Sequence, residues 1–115
     1  FNQAEVLTGM TRHVICSGQT AVDGDGQPQH AGDMQAQIGL ALDNLEQVLQ
    51  QADMGLVDLV HVKIYTTDMD ACLEHFDVVG KRFGAAGVAA PMSLLGVTRL
   101  AMPPAMVEIE ATAAQ

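Results

Sequence analysis

A chain of 115 residues has the commonest size of a single domain, and a hydrophobic content of 49% is sufficient for one buried core. Five Lys and Arg residues against fourteen Asp and Glu residues give a formal net charge of -9, which repels phosphate backbones and argues against a nucleic-acid partner. Because Trp is absent and aromatic residues make up only 3%, the core must be aliphatic, and we expect any pocket to be short of aromatic surface.

Two strands are predicted near the beginning of the chain. Residues 12–19 form a short apolar run with β-branched members, which predicts a strand. This strand leads towards residues 23–26, Asp-Gly-Asp-Gly, and Asp-Gly pairs readily supply the positive φ of a tight turn. Residues 5–8 predict a partner strand that turns at Gly9.

The clearest element is an amphipathic helix over residues 33–52. Its apolar residues recur every three or four positions, namely at Met34, Ile38, Ala41, Leu42, Leu45, Val48, Leu49 and Ala52. Asp33 suits the start of this helix, because its carboxylate can accept the free backbone N–H groups of the first turn.

A strand and a second helix follow. In residues 59–67 the apolar Val60, Val62 and Ile64 alternate with polar side chains, which predicts a half-buried strand. Residues 70–83 predict one helix with an apolar stripe, formed by Leu73, Phe76, Val79 and Phe83.

Two final strands complete the predicted order. Residues 93–100 and 106–112 read as strands, and the pair Pro103-Pro104 enforces the turn between them because neither proline can donate to a sheet. The predicted order is therefore β-β-α-β-α-β-β, an α+β fold in a single domain over residues 1–115.

The metal-binding residue types do not cluster in the sequence. Cys16 and Cys72 lie far apart, and the four His residues lack the spacing of metal ligands. We therefore expect no metal, no cofactor and free thiols in a cytoplasmic protein. We also expect no membrane partner, since no apolar run reaches the about 18 residues of a membrane span. Because residue 1 is Phe, we also expect a few native residues to precede it.

Six short segments stand in a characteristic order along nearly the whole chain. They are Cys16-Ser17-Gly18-Gln19, Asp23-Gly24-Asp25-Gly26, Gly32-Asp33-Met34-Gln35-Ala36-Gln37, Ala41-Leu42-Asp43-Asn44-Leu45, Lys63-Ile64-Tyr65-Thr66-Thr67-Asp68-Met69 and Val107-Glu108-Ile109-Glu110-Ala111. No single segment is specific, but together they resemble the Rid (YjgF-type, reactive-intermediate deaminase) family. The resemblance implies a chorismate-mutase-like α+β fold in a homotrimer with a central barrel, with small-metabolite clefts between neighbouring subunits.

The resemblance also assigns residues to the cleft. In deaminating members an Arg holds the carboxylate of a 2-imino acid, and a Glu in the final strand helps to place the attacking water. Glu108 matches that Glu and is the expected catalytic residue, although its pattern alone would indicate a solvated carboxylate. The Arg position falls on Met92, which has no charge and no hydrogen-bond donor.

The other expected substrate-binding residues are Phe1, Ser17, Gly18, Ser93 and Leu94. Phe1 matches an aromatic residue that covers the ligand, the Ser-Gly pair matches that of the family, and Leu94 replaces a frequent Cys. Without the resemblance, Ser17 would be read as a turn residue.

The resemblance leaves three functions open. The first is an enamine/imine deaminase with a substrate range altered by the loss of the Arg, and the second is a non-catalytic trimer that binds a small metabolite. An endoribonuclease or translation inhibitor ranks lowest, because the chain lacks the charge and the stacking residues that RNA recognition favours. Lys63 and Arg99 are expected on solvated faces, where either is a candidate replacement cation at a subunit boundary.

Overall fold

One four-stranded sheet and three α-helices form the protein in the computed structural model, which describes residues 1–115. The strands are β1 (His13–Gln19), β2 (Leu59–Thr66), β3 (Met92–Gly96) and β4 (Val107–Ala114). The helices are α1 (Met34–Gln51), α2 (Met69–Glu74) and α3 (Asp77–Ala86), and a single 3₁₀ turn covers Leu56–Asp58. The α+β class predicted from the sequence is confirmed.

The sheet has the order β1-β4-β2-β3. β4 lies in the centre and pairs antiparallel with both β1 and β2, whereas β2 and β3 are parallel. Parallel neighbours need a crossover connection, and here α2 and α3 form it. α1 packs against β1 and β4, and α2 and α3 pack against α1, so the helices cover one face of the sheet. None of the helices combines the length and the apolar character that crossing a membrane requires.

Helix α1 follows the sequence prediction closely. The carboxylate of Asp33 accepts a hydrogen bond from the backbone N–H of Ala36 at 3.0 Å and caps the first turn. The apolar stripe is buried in the core, where Leu42, Leu45 and Leu49 have no exposed surface. The periodicity of the sequence therefore identified the buried face of this helix.

Gln37 is a buried polar residue of α1 that the apolar stripe did not reveal. It is only 1% exposed, and its side-chain amide donates to the backbone oxygens of His30 and Pro104 at 3.1 and 3.0 Å. Its carbonyl oxygen accepts from the backbone N–H of Met106 at 2.8 Å. This one side chain thus holds the loop that delivers the chain into β4.

Three predicted elements differ from the structure. Residues 5–8 form no strand; β1 is an edge strand without a partner on its outer side, and Val6 is 88% exposed. The helix predicted at 70–83 is broken at His75 and Phe76, where the backbone N–H of Phe76 bonds to the oxygen of Leu73, three positions back, and ends α2. The strand predicted at 93–100 already ends at Gly96. The observed order is β-α-β-α-α-β-β.

The break between α2 and α3 redirects the predicted apolar stripe. Val79 and Phe83 on α3 are buried, but Leu73 on α2 is 57% exposed. A similar local change occurs at the start of β2, where the pairing with β4 shifts register between Leu59 and His61. Leu59 is therefore buried while Val60, predicted to point inwards, is only half-buried.

Candidate functional site

A β-bulge in β1 lies beside the candidate catalytic strand. Cys16 pairs with Ala111 and Gln19 with Ile109, so Ser17 and Gly18 together lie opposite the single residue Glu110. A bulge of this kind bends the strand and redirects its side chains, and bulges are frequent next to active sites. The Ser-Gly pair that the resemblance assigned to the cleft is thus the irregular part of β1.

Gly18 is in direct contact with the side chain of Glu108. A Cβ atom at position 18 would lie 2.5 Å from Cδ and 2.7 Å from Oε2 of Glu108, far inside van der Waals contact. Gly18 does not have a positive φ, so its backbone does not require a glycine. The absence of a side chain matters here because it leaves space for Glu108. The half-buried Glu108 carboxylate therefore lies over the bulge.

Tyr65 and Glu110 are part of the same surface. Tyr65 pairs with Glu108 across β2 and β4, and its hydroxyl donates a hydrogen bond to the carboxylate of Glu110. This hydrogen bond, followed by burial and by the negative charges of Glu110 and Glu108, raises the pKa of Tyr65 above its usual 10.0. Tyr65 therefore remains a neutral donor at physiological pH.

The sequence analysis did not assign a role to either Tyr65 or Glu110. The alternation of each strand indicated that both point away from the core, but only the register of β2 against β4 brings them together. Glu110 is thus restrained by Tyr65, whereas Glu108 has no hydrogen bond or salt bridge within the chain.

Lys63 is the only cationic Lys or Arg side chain on this sheet face. It pairs with Glu110 across the strands, is half-buried, and forms no salt bridge within 4.0 Å. A shallow cavity of about 210 Å³ lies beside it, lined by Ile15, Cys16, His61, Lys63, Glu110, Ala111 and Thr112. Arg99 is exposed in the loop between β3 and β4.

The two cysteines are free and buried. Burial raises the pKa of the thiol of Cys16, and burial is also the largest cause of the raised pKa of Cys72. Both thiols are therefore protonated and poorly nucleophilic, as the prediction of a small buried residue at Cys16 requires. No group of three or more His, Cys, Asp or Glu side chains has an arrangement that could hold a metal ion.

Met92 lies on the opposite face of the sheet from Glu108. In the parallel pairing of β3 with β2, Met92 is aligned with Val62 and Leu94 with Ile64, so both pack against the core on the helix-covered face. Ser93 is aligned with Lys63 and shares the outer face. The predicted site residues are consequently divided between two surfaces, and within one chain Met92 cannot act together with Glu108.

A second cavity, of about 230 Å³, lies at Met92. It is lined by Phe1, Phe76, Val79, Gly80, Phe83, Gly84, Val88 and Met92. These residues include all three Phe of the chain, so the expectation that pockets would be short of aromatic surface is wrong for this cavity. Phe1, which was assigned to the cleft, reaches the cavity because the backbone N–H of Asn2 donates to the oxygen of Ala89 at 2.7 Å.

Comparisons with known proteins give a consistent family. The family model for endoribonuclease L-PSP matches residues 1–115. The mitochondrial protein mmf2 of Schizosaccharomyces pombe is 42% identical over 71 residues, which are 61% of this chain and 52% of that protein. The chain thus matches only about half the length, 52%, of this curated relative.

Solved structures match over most of the chain. The Rid-family protein YyfB from Yersinia pestis is 30% identical with a TM-score of 0.82, covering 97% of this chain and 85% of that one. A Mycobacterium tuberculosis member of the YjgF/YER057c/UK114 family is 35% identical with a TM-score of 0.72, covering 90% of this chain and 79% of that one.

Proposed function

The chain belongs to the Rid (YjgF, endoribonuclease L-PSP) family, and from this premise we propose that it is an enamine/imine deaminase with an altered substrate range. The reaction adds water to the C=N carbon of a reactive metabolite. The resulting carbinolamine then collapses to a carbonyl compound as its nitrogen takes a proton and leaves as ammonia. The observation that carries this proposal is the placement of Glu108, a half-buried carboxylate that lies over Gly18 without any intramolecular partner.

Glu108 is the proposed general base. An unpaired carboxylate can accept a hydrogen bond from water and remove its proton as the water attacks. Glu110 is less available for this role because Tyr65 already donates to it. A carboxylate restrained in this way can instead keep Tyr65 in place beside Glu108.

The proposal requires a second subunit. Glu108 and Met92 lie on opposite faces of one sheet, so a cleft that contains both must combine Glu108 of one chain with the Met92 cavity of another. No helix or strand covers the outer sheet face, and its Ile15 is 82% exposed. A homotrimer whose sheets form a central barrel would cover it. Light scattering should give the trimer mass, and a monomer mass at micromolar concentration would contradict this part.

The substrate range follows from Met92. An Arg in this position would grip a carboxylate through two hydrogen bonds, and Met cannot. Losing such a charge-assisted contact costs about 1.5–3 kcal/mol, or roughly 10- to 150-fold in transition-state binding. We therefore expect 2-imino acids to be poor substrates. Turnover comparable to that of an Arg-bearing relative assayed alongside would refute this.

The decisive experiment measures ammonia release from imines that an oxidase generates in situ. Glu108→Gln preserves the shape of the side chain but removes the base, and should lower the rate by about 10²-fold or more. Glu110→Gln is the matched control, because it changes a carboxylate of the same strand and face while keeping an acceptor for Tyr65. Equal losses in both variants would contradict a specific role of Glu108 as the base, whereas ligand binding by the native protein without any ammonia release would favour the non-catalytic binder.

The charge of the chain does not support the RNA-cleaving activity in the name of the family model. Its formal net charge is -9, and the outer sheet face carries the carboxylates of Glu108 and Glu110 beside a single lysine, Lys63. A cytoplasmic location is also part of the proposal, and the unpaired cysteines fit a reducing compartment of this kind without singling it out. Since the curated relative is named mitochondrial, cell fractionation is needed to decide between the two compartments.

A further inference from the structure

The cavity at Met92 has a wall without any polar side chain. Its eight lining residues are three Phe, two Val, two Gly and Met92. Phe1, Gly80 and Gly84 leave one side of the cavity open to solvent, but an ionic group placed against this wall would lose water there and gain neither a partner of opposite charge nor a side-chain hydrogen bond. The lining therefore selects against a charged group.

No cation of the neighbouring helix is free to serve the cavity. Lys81 of α3 pairs with Asp77 at 3.6 Å, and Arg82 pairs with Asp43 at 2.8 Å and with Glu46 at 3.2 Å. Lys63 projects from the opposite face of the sheet. None of the residues that line the cavity is a Lys, Arg or His, so an anionic ligand would find no counter-ion among them.

Two glycines of α3 keep the cavity open. Gly80 and Gly84 are one helical turn apart and both line it, and a Cβ atom built on either would meet nothing within 4 Å. Glycine is the poorest helix former after proline, so two of them within ten residues weaken α3. Because these two positions have no side chain, the backbone of α3 itself borders the cavity there.

We infer that this cavity receives an uncharged apolar group of about the size of a benzene ring or a branched aliphatic chain. An apolar cavity of about 150 Å³ is known to hold benzene, and the volume here is about 230 Å³. The substrates are accordingly imines or enamines of apolar carbonyl compounds. The reaction class rests on the proposed function, whereas the binding preference does not.

The test uses calorimetric titration with two probes that share a ring and differ in charge. Acetophenone resembles a neutral carbonyl product, and benzoate carries a carboxylate on the same ring. We expect the native protein to bind acetophenone at least about 10-fold more tightly than benzoate. Equal binding, or tighter binding of benzoate or pyruvate, would overturn the inference even if the protein proves to be a deaminase.

The location of the site is tested by filling the cavity from α3. Gly84→Leu should lower acetophenone affinity about 10-fold or more while leaving the melting temperature no lower than that of the native protein, because Leu is a better helix former. Gly39→Leu is the matched control, since Gly39 lies inside α1, also faces open space and does not line the cavity. Should Gly84→Leu fail to fold, Gly80→Ala gives the same test with a smaller group.

Two outcomes would assign the cavity to a different occupant. If Gly84→Leu changes the oligomeric mass but not acetophenone binding, an apolar side chain of another copy fills the cavity, and the inference fails. If both glycine variants bind acetophenone like the native protein, the probe binds elsewhere, and the inference also fails. Loss of binding in Gly84→Leu alone, with unchanged mass, supports it.

Discussion

Substituting Gly18 tests whether the position of Glu108, the candidate base, depends on the absence of a side chain at residue 18. In Gly18→Ala the new Cβ would lie 2.5 Å from Cδ and 2.8 Å from Cγ of Glu108. Carbon atoms prefer separations of about 3.5–4.0 Å, so the Glu108 side chain must move by about 1 Å. Because Glu108 is only half-buried, it can rotate outwards, and we expect a loss of about 1 kcal/mol in the free energy of unfolding, at the low end for overpacking.

A double-mutant cycle measures this contact without knowledge of the substrate. Glu108→Ala removes Cγ and Cδ, so Gly18→Ala should cost clearly less in that background than in the native one. Urea unfolding of the four proteins should therefore give a coupling energy of about 1 kcal/mol between the two positions. Additive effects, within about 0.3 kcal/mol, would refute the contact.

Activity gives the second readout of the same substitution. A displacement of about 1 Å in a catalytic group can lower the rate about 10²-fold, so Gly18→Ala should lose ammonia release while remaining folded. Gly24→Ala is the control, because a Cβ atom at Gly24 meets nothing within 4 Å. Full activity of Gly18→Ala would mean that the position of Glu108 is irrelevant to the reaction.

Three further predictions follow from the same structure. Tyr65 is the only Tyr in a chain without Trp, so ultraviolet absorbance should report its pKa above 10.0, and Glu110→Gln should lower that pKa. The contribution of protonated Tyr65 to the free energy of unfolding is complete below the ordinary pKa and is lost as the pH rises through the raised pKa. An unshifted titration of the native protein would contradict the hydrogen bond to Glu110. Gln37→Leu leaves the backbone N–H of Met106 without its acceptor and should lower the free energy of unfolding in urea by about 2–4 kcal/mol. A loss under about 1 kcal/mol would be inconsistent with the burial of Gln37. Met92→Arg should gain pyruvate binding and lose acetophenone binding in calorimetry, and unchanged affinities would place Met92 outside the ligand site.

The sequence by itself determined the helices and strands that depend on interactions between residues close together in the chain. Helix α1 and its Asp33 cap follow from a repeat of three to four residues and one carboxylate, which act within a single turn. Strands β2 and β4 follow from alternation, because each has a buried and an exposed face. The prediction weakened where tertiary contacts compete with local preference, as at the break before α3 and in residues 5–8.

Only the tertiary structure decided how these elements form a site. The bulge of β1 is set by its pairing with β4, and it is this register that places Gly18 under Glu108. The parallel pairing of β3 with β2 places Met92 on the face opposite to Glu108, which no count along the chain could reveal. Phe1, Phe76 and Phe83 are distant in sequence and meet because α3 and the first residues pack around Met92. Such contacts depend on strand register and helix packing, and these are properties of the folded chain as a whole.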